Sequence, residues 1–165
     1  SYIKKGFKLK EQNADFYLSS GLYYYYVVQY PENKPIIKPL MWFFPNGNKK
    51  KGLEWRVKFQ MIELIVLYEN DKIDLVILKL RSTERLIREV IKINPNYKNL
   101  SVFLKIIKIS LNQGSFNGLD KELDKFKFSP FKQENIQAMA FYAYLKSKIK
   151  KENYYNTLMD LIDTE

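Results

Sequence analysis

The side chains best able to bind or react in this chain are a row of basic residues and a few carboxylates. Arg81, Arg85, Arg88 and Lys92 are spaced by four, three and four, which places them on one stripe of a helix. A phosphate-binding stripe would show this pattern. Glu84 and Glu89 are interleaved with it and can pair with Arg88 and Arg85 at i,i+4, each pair contributing only ~0.2–0.5 kcal/mol. They dilute the field, so a solvated helix face is preferred to a phosphate site. Asp71 and Asp74 stand at the expected start of a helix, where aspartate caps free backbone N–H groups. Asp160, Asp163 and Glu165 read as solvated. No Gly-rich phosphate loop, no pair of acids in an apolar setting and no nucleophile beside a base is found.

The chain contains neither Cys nor His. Disulfides are therefore impossible, and the usual zinc sites lose both favoured ligand types. Ser-His-Asp, Cys-His and His general-base chemistry are excluded. The expectation is a non-enzymatic protein with no cofactor and no metal.

The 165 residues are 46% hydrophobic, enough to bury a real core as one domain or one compact repeat array. Aromatics reach 16%, with 13 Tyr and 11 Phe. Large rings fill gaps between helices, and that packing role is preferred to an aromatic binding surface. The net charge of +10 points to acidic partners such as nucleic acid, an anionic membrane surface or an acidic protein. Yet only Arg56, Arg81, Arg85 and Arg88 are arginines, whereas a phosphate reader favours the planar guanidinium. A Lys-, Ile-, Asn- and Tyr-rich composition also follows from an AT-rich genome, and that account is preferred. No apolar run reaches the length of a membrane span. No signal peptide is visible, and the expected compartment is the cytoplasm.

These side chains must be positioned by helices. A four-residue turn recurs between apolar stretches at a spacing of about 40 residues, typical of stacked helical hairpins. It reads Asp71-Lys72-Ile73-Asp74, Gly114-Ser115-Phe116-Asn117 and Asn153-Tyr154-Tyr155-Asn156. Helices are predicted over 14–30, 49–70, 73–93, 97–112, 115–128, 131–151 and 153–163, with breaks at Asn94-Pro95-Asn96 and Ser129-Pro130. Sustained period-two alternation is missing, so strands are not expected. Pro31, Pro35, Pro39 and Pro45 exclude a regular helix across 31–48. That insert is nonetheless strongly apolar, and burial against the helices is its preferred role. Its 35–45 stretch carries Trp42, Phe43 and Phe44 near Lys38 and Lys49, which would also suit peripheral contact with a membrane surface. The expected fold is all-α, a single domain of antiparallel helical hairpins.

At this point the chain resembles the tetratricopeptide repeat. The match rests on residues 14–24, with Tyr17 at the bulky position, Ser20-Gly21 at the tight helix contact and Tyr24 at the second aromatic. Ile73, Phe116 and Tyr155 match the large residue after each later turn. The later spacings exceed the family's 34 residues, and the small contact residues are replaced by Ile107 and Lys146. The resemblance implies a short α-solenoid whose concave face binds a protein or peptide. Position by position, it implies a lining of Asp15, Tyr25 and Tyr26, then Lys58, Tyr68 and Glu69. Ser101, Lys105, Lys108 and Asn112 follow, and then Ser147, Lys150 and Lys151. Lys and Asn at such positions imply an acidic segment or chain terminus as ligand. The alternative is a basic nucleic-acid-binding helical domain using Arg81, Arg85, Arg88 and Lys92.

Overall fold

The computed structural model of the protein describes residues 52–127 and 136–163. Every regular element among them is helical: α1 (Leu53–Glu69), α2 (Ile73–Ile93), a 3-10 turn (Pro95–Tyr97), α3 (Lys98–Gln113), α4 (Asp120–Leu123), α5 (Ile136–Lys150) and α6 (Tyr154–Asp163). The helix expected over 14–30, the insert 31–48 and the start of the helix expected over 131–151 lie outside the described residues. No helix among the described residues is long and apolar enough to cross a membrane.

The chain divides into two compact units, Ser1–Leu86 and Ile87–Glu165, with the boundary inside α2. In the first, α1 begins after Gly52, whose backbone is extended, and residues 49–51 of the expected helix lie outside the described residues. Val57, Met61, Ile62, Leu64, Ile65 and Val66 are buried, on more than one side of the helix. The helix ends in a Schellman motif: the Asp71 N–H donates to the Tyr68 carbonyl and the Lys72 N–H to the Leu67 carbonyl. Asp71 takes the left-handed φ of 55° that this motif requires. So Asp71 ends one helix, where it was expected to cap the next. Beyond the turn, Val76, Leu80 and Thr83 are buried at helical spacing. Lys79 reaches Glu63 of α1 at 2.7 Å, and the Thr83 hydroxyl lies 3.1 Å from Gln60 Oε1.

In the second unit the 3-10 turn is capped by Asn94, whose side chain accepts from the Asn96 N–H, with Pro95 at the first position. Helix α3 buries Leu100, Phe103, Leu104, Ile106 and Ile107, and stops at Gly114 with φ 71°. Of the predicted helix over 115–128, residues 115–127 form an irregular segment bearing only the single turn α4. Gly118 takes φ 74°, outside the helical region, which explains the break. Gln113 Nε2 donates to the carbonyls of Ser115 and Asn117, satisfying the backbone that a helix would otherwise pair. Phe116 therefore lies in a loop and does not begin a helix.

Helix α3 packs on α5, and α5 on α6. Phe103 meets Phe141 edge-on with centroids 5.5 Å apart and stacks on Tyr144 at 6.0 Å. Lys151, with φ 57°, turns the chain after α5, and the Glu152 N–H donates back to the Ser147 carbonyl. The left-handed residue of this third turn is therefore Lys151, two places before Asn153. Asn153 precedes α6, as the predicted helix start at 153 requires, its Oδ1 accepting from the Asn156 N–H at 3.1 Å.

Candidate functional site

Two of the proposed lining residues, Lys105 on α3 and Lys150 on α5, meet a shared feature. Lys105 is exposed on α3, with Nζ 3.0 Å from Glu122 Oε2. Lys150, at the end of α5, forms an ion pair with Asp120. Both acids belong to α4, which contacts α3 and α5. Lys125 adds a second cation to Glu122 at 2.7 Å. The geometry brings two helices of predicted basic lining to one acidic turn of the same chain.

Local sequence explains why α4 sits there. Leu119, Leu123 and Phe126 are buried, and the Phe126 ring lies 5.7 Å from that of Tyr142 on α5. These apolar anchors fix the segment and leave Asp120 and Glu122 facing the lysines. The hydrogen bond from Lys150 holds the Asp120 carboxyl below its usual range, and Asp120 in turn raises the Lys150 ammonium. Glu122 is lowered first by its bond from Lys125 and then by that from Lys105. Both acids are thus ionised at neutral pH and are poor proton donors. They form a charge clamp and do not suit acid–base work. Burial raises the Tyr154 phenol, and burial followed by the charge of Asp124 raises Tyr142, so both stay protonated.

The remaining predicted residues are dispersed. Asp15, Tyr25 and Tyr26 lie outside the described residues. Lys58, Tyr68 and Glu69 are half-buried on α1, each with a partner within the protein. Lys108 is half-buried and also engaged, whereas Ser101 and Asn112 are exposed on α3. Ser147 is buried, its hydroxyl donating to the Tyr144 carbonyl at 2.7 Å, and so lines no open surface. Lys151 is exposed at the turn after α5.

Arg81, Arg85, Arg88 and Lys92 are all exposed on α2. Glu89 pairs with Lys92 at 3.1 Å, two turns further along than the expected Arg85. Among the described residues no cluster of three His, Cys, Asp or Glu could hold a metal ion. Residue spacing gave no sign of Asp120 and Glu122 as partners of the lysines; the Asn117-Gly118 turn was the one signal that their segment leaves the helical path. No protein-family model matches the chain, and neither the curated proteins nor the solved structures yield a match.

Proposed function

We propose that this protein is a non-enzymatic binding scaffold, a short array of stacked antiparallel helical hairpins that holds an acidic segment of a partner protein. The observation that carries this reading is the way Lys105 and Lys150 receive the carboxylates of Glu122 and Asp120. A short acidic turn anchored by apolar residues is the chemistry that these two helices accept. Lys105, Lys108 and Asn112 follow one another at spacings of three and four, so a partner carboxylate would align beside α4 on that face. The test is titration of a labelled Asp/Glu-rich peptide into the full chain. Reversing Lys105 and Lys108 to Glu weakens binding about tenfold or more, since it replaces attraction with repulsion at the contact. Unchanged affinity in a double variant with native helical content would overturn the site.

A second reading, nucleic-acid binding, is favoured by the exposure of Arg81, Arg85 and Arg88 together on α2. Its mark is retention on nucleic acid at low salt with a steep loss as salt rises. No retention of the intact chain at low salt ends that reading.

A further inference from the structure

We propose that the outer face of α2 pairs with the same face of a second copy of this chain, the two helices running antiparallel. The face lies opposite the buried row of Val76, Leu80 and Thr83. Asp74, Leu78, Arg81 and Arg85 follow at spacings of four, three and four, so they form one line along the helix. All are exposed, and Leu78 keeps 64% of its surface open. Leu75 and Ile77 flank it at 49% and 44%. Exposed apolar side chains in a cluster mark an interaction surface.

Charge order along this line selects the occupant. The acid stands at one end, the apolar residues in the middle and the arginines at the other end. An antiparallel copy sets Asp74 against Arg85 of the second chain and Arg85 against its Asp74, with each Leu78 beside the aliphatic stem of the opposing Arg81. Twofold symmetry makes both charge contacts together. A parallel copy would set acid on acid and arginine on arginine. A polyanion would meet Asp74 on the same face, and its charge opposes it. All four residues of the line belong to the unit Ser1–Leu86, so one compact unit supplies the whole surface. One helix face makes a small interface, and its dissociation constant falls roughly in the micromolar to millimolar range.

The test is sedimentation equilibrium of the full chain over a wide concentration range. The expected result is a monomer–dimer equilibrium that weakens as salt rises. Asp74→Arg alone and Arg85→Asp alone each raise the dissociation constant about tenfold or more, because each creates two like-charge contacts. An equimolar mixture of the two single variants restores dimers, since every contact in the mixed pair is again opposite in charge. The double variant Asp74→Arg/Arg85→Asp dimerises like the parent. Circular dichroism confirms that each variant keeps its helices. A chain that stays monomeric at the highest concentration overturns the proposal. So does a dimer that the single variants leave intact or that the mixture fails to restore.

Discussion

Asn99 on α3 grips the backbone of Lys127 with both ends of its side-chain amide. Its Nδ2 donates to the Lys127 carbonyl, and its Oδ1 accepts from the Lys127 N–H at 2.9 Å. The amide stands in for a backbone partner and closes the irregular segment after α4 onto α3. Only Asn presents a donor and an acceptor at this reach. Asn99→Asp keeps the acceptor, removes the donor and sets a carboxylate against a carbonyl. A loss of about 0.5–1.5 kcal/mol is expected, the net worth of one hydrogen bond, because water can pair the exposed Lys127 carbonyl in its place. Urea denaturation of the two proteins measures it.

The aromatic contacts of Phe103 with Phe141 and Tyr144 join α3 to α5. Phe103 is fully buried. Phe103→Ala is expected to destabilise the protein by about 3–5 kcal/mol, combining lost burial with the cavity left behind. Phe103→Leu keeps most of the volume and costs less. Thermal melts of both variants give the order.

Lys151 is a residue with a side chain in a left-handed conformation, φ 57°, that glycine adopts without penalty. Lys151→Gly is expected to raise stability by about 0.5–1 kcal/mol. The reverse change at the matching position, Gly114→Ala, meets no atom within 4 Å yet forces alanine to φ 71°. It lowers stability by about 1 kcal/mol through backbone strain alone. Opposite shifts in melting temperature check both.

The charge clamp on α4 gives stability a defined response to acid. Asp120 and Glu122 have folded-state values below their ordinary 3.8 and 4.5. Their contribution is therefore complete above those ordinary values and disappears as pH falls through the depressed ones. Unfolding free energy followed between about pH 7 and pH 2 declines on the acid side. In Glu122→Gln that acid limb is shallower. At the alkaline end the sign reverses for Tyr154, whose phenol is raised by burial. Its contribution is complete below the ordinary value of about 10 and is lost as pH climbs above it. Tyrosine ultraviolet absorbance shows this group ionising only as the chain unfolds.

The sequence made the helices legible wherever one face was buried and a turn residue marked the end. Val76, Leu80, Thr83, Ile87 and Val90 recur on one side of α2, and its predicted bounds match the structure. Gly114 closed α3 as expected. The stretch 115–128 misled because Leu119, Leu123 and Phe126 keep helical spacing although Gly118 breaks the path between Phe116 and Leu119. Apolar spacing records which residues are buried, and an irregular segment pinned at three points buries them at the same intervals. The partners of Lys105 and Lys150 were not legible, because Coulomb contacts between distant segments leave no periodic trace. Asp71 and Lys151 were obscured for another reason: left-handed turns there are set by helix-end hydrogen bonds and not by glycine.

Between Met139 and Ile149, helix α5 buries Met139, Phe141, Ala143, Tyr144, Leu145, Ser147 and Ile149, which face several directions. Amide protons in its middle, around the fully buried Tyr144, are therefore expected to trade with deuterium more slowly than those of α6, which packs against α5. The amides around Tyr144 would thus act as a built-in gauge of the largest opening, and their decay rate under native conditions reads out its free energy.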